Sequence, residues 1–310
     1  MKKALTIGNR FTTVMALVLG LGAASAMPAC AAQTCDRACL TGVMDDYLAA
    51  IPKHDRTGLP LAPTLRETVN GRESPAQSDY FWNMVDGIAY RQMAADPVTG
   101  QVALLGVATE AGARGAYWLR MQVKDRKIVE VEQIIGERSV NGVPGLGAPN
   151  PYFDQILPEK SRSNREQLIA IADSYFEGLQ RHDGAGVLSA PGCRRYENGN
   201  LTSLNPLGNT WPCNLMSDYT YMDKIKERRF PVVDVERGIV VGAMVIEVSQ
   251  PKATPTVSAT TATGIQTTAV PLFGRPHDTL IQEIFKISDG KIQEINVIRQ
   301  DMPYRWGSGW

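Results

Sequence analysis

The stretches DYLAAIPKHD (46–55) and SYFEGLQRHD (174–183) are near copies of one another, 128 positions apart. Around the second, Leu168, Ile171, Ala172, Tyr175, Phe176 and Leu179 recur at the three-and-four spacing that gives a helix one apolar face. Asn164, with Gln167 three residues on, is a capped helix start. The spacing therefore predicts a helix that stops just before His182-Asp183-Gly184. The first copy repeats the plan from about Arg37 to Ile51, with Pro52 next. Sliding the chain on itself by 128 places makes ten residues identical between 45 and 71. Tyr47 falls on Tyr175, His54 on His182, Asn70 on Asn198 and Gly71 on Gly199. Average residue usage would supply about two such matches. A second match, KDRKIVEVEQII (124–135) on SDGKIQEINVIR (288–299), runs at an offset of 164. The second copy thus carries extra residues, and two stretches suit them: 200–216 and the Thr/Ala-rich run 254–270.

Runs rich in β-formers and separated by turn residues predict strands at 101–109, 116–123 and 127–135 in copy one. In copy two they fall at 231–235, 239–248, 280–287 and 291–299. Asp289-Gly290 is a hairpin turn. Helices followed by hairpin-linked strands make an α+β fold: two tandem cone-like modules, each with helices packed on a curved antiparallel sheet. The expected bounds are 33–158 and 159–310. The segment 141–159, with four Pro and three Gly, reads as the linker.

Residues 1–32 read as a signal peptide. Lys2, Lys3 and Arg10 precede an apolar run from Val14 to Ala24 and small-residue cleavage sites. The run is shorter than the roughly 20 residues a membrane span needs, so no membrane insertion is expected. The 32 basic and 32 acidic residues cancel, which argues against a nucleic-acid partner, since phosphate binding needs a basic surface. Beyond Cys30, the cysteines form two local pairs, Cys35 with Cys39 and Cys193 with Cys213. Export makes disulfides the default for both. Their spacing lacks the Cys-x-x-Cys and His ligands of a structural zinc site, and three isolated His offer no metal cluster, so no metal and no cofactor are expected. Nucleotide-binding, serine-hydrolase and zinc-protease motifs are missing as well.

A helix ending in an aromatic-containing His-Asp corner, followed by a bent sheet, resembles the nuclear transport factor 2-like (SnoaL-like) cone fold. The phrases CDRACLTGVMDDYLAA (35–50), LPLAPTLRETVNG (59–71), RRFPVVDVERG (228–238), EIFKISDGKI (283–292) and MPYRWGSGW (302–310) resemble a secreted family of uncharacterised function, common in fungi and found in some proteobacteria. The resemblance implies a cavity between helices and concave sheet, and it is consistent with pairing of Cys193 and Cys213. The superfamily includes dehydratases, isomerases, cyclases, lyases and non-catalytic binders, so it speaks for a fold and not for a reaction.

Within such a cavity a His or carboxylate can carry protons. His182 and Asp183 form one candidate pair, because an Asp beside an imidazole can fix its tautomer. Both copies keep His-Asp, however, which equally suits a helix-end role. Tyr196 and Glu197, absent from copy one, could serve as oxyanion donor and base. Trp211, Tyr219, Arg229 and Asn198 are candidates for holding a ring-containing ligand with a carboxylate. Tyr304 and Trp306 either close over a cavity or pin the tail. The reading that joins these is a cofactor-independent lyase or isomerase, exported to the periplasm or beyond. It would act on a small aromatic or terpenoid compound, with the pocket in the second copy. The other reading is a secreted small-molecule-binding protein without catalysis. Both admit a homodimer.

Overall fold

Asn164 accepts from the Gln167 amide at 2.9 Å while the Gln167 side chain accepts from the Asn164 amide, closing the expected capping box. From there helix α3 runs Arg165–Arg181 and buries its apolar face. In the first copy Asp36 caps α1 (Arg37–Ala50), and a 3-10 turn, Ile51–Lys53, follows. The computed structural model describes Met1, Gly8 and residues 35–74, 80–139, 150–203, 212–249, 256–261, 264–269 and 275–310. The chain divides into Met1–Ala32 and Gln33–Trp310, and every described helix and strand belongs to the second of these units. The expected signal segment lies outside the described residues, Met1 and Gly8 apart.

The first module contributes β1 (Leu61–Val69), β2 (Arg72–Glu73), the short α2 (Tyr80–Met84), β3 (Gly87–Asp96), β4 (Gln101–Glu110), β5 (Ala113–Lys124) and β6 (Lys127–Ser139). The second contributes β7 (Ser189–Glu197), β8 (Asn200–Leu201), β9 (Lys224–Asp234), β10 (Ile239–Val248), β11 (Thr256–Thr261), β12 (Gly264–Ala269), β13 (His277–Ser288) and β14 (Lys291–Pro303). The two large sheets have equivalent strand orders, β2-β1-β6-β5-β4-β3 and β8-β7-β14-β13-β10-β9. The run 254–270, one of the two stretches expected to hold the extra residues, carries the hairpin β11–β12. The sheets are mixed rather than antiparallel: β1 runs parallel to β6, and β7 to β14. A hairpin dictates antiparallel neighbours, but each of these strands follows a helix, and that longer connection leaves its direction free.

The offsets of the repeat are those of the elements. From β1 to β7 it is 128, from β4 to β10 it is 138, and from β6 to β14 it is 164. Ten residues are therefore added before β9 and 26 more before β13. Asn70 (φ 48) and Asn198 (φ 45) turn the chain after β1 and β7. Each side-chain amide binds the backbone of the neighbouring parallel strand. Asn70 pairs with Ile135, donating at 3.2 Å and accepting at 2.9 Å, and Asn198 pairs with Arg299 at the same two distances.

One face of each sheet holds its helix. Leu40, Met44, Tyr47 and Leu48 pack on β3–β6, and Leu168, Tyr175, Phe176 and Leu179 pack on β9, β10, β13 and β14. The other faces bury one another through a core that includes Trp118, Leu105, Val241 and Ile284, with Phe153 of the linker inserted. The contact has internal two-fold character. Arg37, opening α1, forms a bidentate pair with Asp234 at the end of β9, and Arg165, opening α3, forms one with Asp96 at the end of β3. Such reciprocal contacts are those of a symmetric dimer interface, here made within one chain.

After β14 the tail crosses to the first module. Trp306 Nε1 donates to Asn70 O at 2.7 Å and Trp310 Nε1 to Thr68 Oγ1 at 2.8 Å. The guanidinium of Arg72 lies 3.6 Å from the Trp306 ring centre, and that of Arg66 lies 4.1 Å from Trp310. Gly71 (φ 75) must be glycine, because a Cβ there would stand 2.7 Å from Gly307 O. Thus the tail pins the two modules together. Removing 304–310 is expected to cost about 3 kcal/mol, from two lost indole hydrogen bonds and stacked guanidinium–indole contacts. Chemical denaturation of the truncated chain checks it.

Candidate functional site

Strand alternation sorts the candidates on β7. Cys193, Arg195 and Glu197 face the helix side, where Cys193 joins the α3 core and is bonded to Cys213. Tyr196 takes the opposite side, in register with Asn296, and faces the first module. There, with Glu294, it acts on Tyr90, whose phenol burial pushes up to about 12. His182 (φ 53) is the left-handed cap of α3, and its Nε2 donates to Met222 O at 2.9 Å. Asp183 accepts from the Ala185 amide at 3.0 Å, holding the turn. His54 and Asp55 do the same in the first copy, where Asp55 accepts from the Thr57 amide at 2.8 Å. Asn198 has its side-chain amide engaged by the backbone of Arg299. Arg229 lies between the modules, bidentate to Glu132 at 2.7 and 3.1 Å. Trp211 lies outside the described residues.

Glu197 and Tyr219 belong instead to a polar cluster inside the second module. Arg195 Nη1 donates to Glu197 at 2.9 Å and to Thr202 at 3.0 Å, and Arg299 donates to the other Glu197 oxygen at 3.0 Å. Burial would push the Glu197 carboxyl up, but the two guanidinium groups outweigh it and hold it below the usual carboxylate range. Glu283, on the central strand β13, has no exposed side-chain surface. Neither of its oxygens has a hydrogen-bond partner, and Arg195 Nη2 stands 4.0 Å away. Burial, only partly offset by Arg195, pushes its carboxyl up to about 8. The Tyr175 hydroxyl of α3 is also buried without a partner, and burial drives its pKa well above the ordinary value. Tyr221, from the turn before β9, is pushed up to about 12 by burial.

Reading along the sequence misses Glu283, Arg195, Arg299 and Tyr175. Strand β13 is buried on both faces, so no alternation marks its glutamate. The repeat does carry a signal. At the offset of 164 Glu283 falls on Leu119 and Arg299 on Ile135, and at 128 Glu197 falls on Val69. The second copy puts charges where the first has apolar residues, of which Leu119 is fully buried.

Space is distributed otherwise than expected. Glu283, Arg195, Glu197 and Arg299 border a void of only about 10 Å³, and a second void of about 140 Å³ lies across Arg195, against Ser203, Cys213 and Tyr219. A cavity of about 930 Å³ belongs to the first module, between the 54–57 loop, β1 and Trp82. Tyr219, Tyr221 and Met222, ahead of β9, pack against the second module's core. Among the described residues no group of three or more His, Cys, Asp or Glu could hold a metal ion, and no helix is long and apolar enough to cross a membrane.

Residues 161–299 match the model of a family described as "Domain of unknown function (DUF8021)", a span just short of half the chain. A comparison with curated proteins finds no match. Among solved structures the chain is similar to an NTF2-like protein from Burkholderia xenovorans LB400, at 14% identity over 44% of this chain and 92% of that one, TM-score 0.28. It is similar to a provisionally assigned polyketide cyclase from Silicibacter sp. TM1040, at 10% identity over 44% and 90%, TM-score 0.30. A provisionally assigned isomerase from Bacillus subtilis follows at 8% over 44% and 87%, TM-score 0.28. Likenesses at these scores are weak, and the chemistry rests on the chain's own geometry.

Proposed function

We propose that the second module carries out cofactor-independent acid–base chemistry, of the isomerase, cyclase or lyase kind, on a small single-ring compound. The observation that carries this is Glu283, a carboxyl with no exposed side-chain surface and no hydrogen-bond partner, 4.0 Å from the Arg195 guanidinium, where burial favours the protonated acid. Two carboxylates with pKa values driven apart assign their own roles. Glu283 gives its proton to a carbonyl or leaving oxygen of the substrate. Arg195 then faces the negative charge that develops, and Glu197, ionised between Arg195 and Arg299, holds the guanidinium in place. In an isomerisation, the Glu283 carboxylate recovers a proton from carbon. The void of about 140 Å³ lies on the far side of Arg195 from Glu283 and has room for a ring of benzene size, since cavities of about 150 Å³ hold one; proton transfer from Glu283 to such a ring requires the Arg195 side chain to shift. The two disulfides suit an oxidising compartment and support export to the periplasm.

The test is mass spectrometry of the mature protein incubated with a metabolite extract, scored for retained ligands and for mass-shifted products. Glu283→Gln is expected to slow any turnover about 100-fold or more, and the wild-type rate is expected to fall as pH rises through about 8. Undiminished turnover by the variant would remove the assignment. Retained ligand with no product would favour binding alone.

A further inference from the structure

The cavity of the first module lacks the proton carrier of the second. Leu119, Val69 and Ile135 stand where Glu283, Glu197 and Arg299 stand. Of its two lining carboxylates among the described residues, Glu67 falls at the position of Arg195 and is closed off by Arg56 in a bidentate pair at 2.8 and 3.0 Å. On the rim, Arg66 sits 3.6 Å from Glu73. Among the described residues lining this cleft, Arg56 meets Glu67 and Arg66 meets Glu73, so these charges are paired within the protein and favour an uncharged ligand.

Of the other lining groups, Trp82 and His54 offer an aromatic edge and a ring nitrogen to a ligand. Trp82 is 3 % exposed and reaches the cleft only at its edge: its Nε1 donates to Tyr47 Oη at 3.3 Å, and the Arg56 guanidinium lies 4.8 Å from its ring centre. Leu61 and Leu65 of β1 extend that apolar surface. His54 is exposed and its Nδ1 lies 2.6 Å from Trp82 O. A carbonyl only accepts, so Nδ1 carries the proton in the neutral ring and Nε2 is left as an acceptor. The volume, about 930 Å³, is within the usual range for small-molecule sites.

We propose that the first module is a binding-only site for an uncharged planar ring compound bearing a hydroxyl group, which packs against Trp82, Leu61 and Leu65 and donates to His54 Nε2. The site is separate from Glu283 and stands whether or not the second module is catalytic.

The probe is 2-naphthol, titrated into the full mature chain by calorimetry, with heteronuclear NMR locating it. Saturable one-to-one binding is expected, with shifts at the His54 ring and the Trp82 indole, and binding of 2-naphthoate at least tenfold weaker. Thr57→Trp, at an exposed lining position, is expected to block the cleft and abolish binding while leaving the unfolding midpoint unchanged. His54→Asn keeps a residue tolerant of φ 54 and is expected to weaken binding about tenfold. Unsaturable heat in the wild type, equal affinity for the naphthoate, or unchanged binding by folded Thr57→Trp would each overturn the proposal.

Discussion

Glu283→Leu is expected to make the protein more stable, by about 2 kcal/mol or more at pH 7, the scale of a buried polar group left without partners. That corresponds to a rise in Tm of about 5 °C for a chain of this size. Leucine already occupies the equivalent position, as Leu119 with 0% exposure, so the site can pack it. The gain is expected to depend on pH. In the unfolded chain Glu283 ionises near the ordinary 4.5, whereas the folded protein holds the proton up to about 8. Between these values the folded state binds more protons than the unfolded one. Wild-type stability therefore falls as pH rises through that window and levels above it, and the variant lacks that contribution. The full shift would be worth on the order of 5 kcal/mol. Denaturant melts of both proteins at pH 5, 7 and 9 measure it. A variant no more stable than wild type at pH 9 would mean that Glu283 is well accommodated as an anion, and would end its role as a retained acid. A stabilising substitution at a residue that abolishes function is the expected mark of a site kept at a cost to stability.

Glu132→Ala is expected to act in the opposite direction. Glu132 accepts two hydrogen bonds from Arg229, one from Arg120 at 2.8 Å and one from Gln282 at 3.0 Å. Two cations and an amide from both sheets thus converge on one buried carboxylate. Removing it leaves the guanidinium groups facing each other at the module interface, with an expected loss of about 3 kcal/mol or more. Burial would raise the Glu132 pKa, but Arg229 and Arg120 outweigh it and hold the carboxyl below its usual range. Its stabilisation is therefore present above the ordinary carboxylate pKa and lost as pH falls through the folded value. Wild type and Glu132→Gln are expected to differ at pH 7 and to converge in acid. Replacing Glu132, Arg120 and Arg229 together by apolar residues should restore much of the stability, because no buried charge is then left alone. If the single variant melts like wild type, the network does not hold the modules.

Some of the fold can be read along the chain because it is local. The capping box at Asn164, the His-Asp helix ends and the Asp289-Gly290 turn each depend on residues within a few positions of one another. Runs of β-formers between turn residues then give strand positions, to within a few residues, for most of the hairpin-linked strands. Strands β1 and β7 escape such a reading: LAPTLRETV and SAPGCRRYE carry Pro and lack sustained apolar alternation. Their place beside β6 and β14 comes from register with distant strands.

The candidate site divides along the same line. Glu197 and Tyr219 stand out as polar and aromatic residues in the copy that departs from its twin, and both stand at the Arg195 cluster. Tyr196 does not follow its neighbour, because consecutive strand residues face opposite sides. Arg229 looks free in the sequence because its partner, Glu132, lies 97 positions away.

Taken alone, the chain's order determined a duplicated helix-and-sheet module, its caps, its turns and its disulfide pairs, since these follow from short spacing and from matching one half against the other. Only the tertiary structure decided which strands run parallel, that the two sheets bury each other, and that the open cavity lies in the first module while the raised carboxyl lies in the second. Each of those outcomes depends on burial and on charges brought together from far apart in sequence, and none of them has a local pattern.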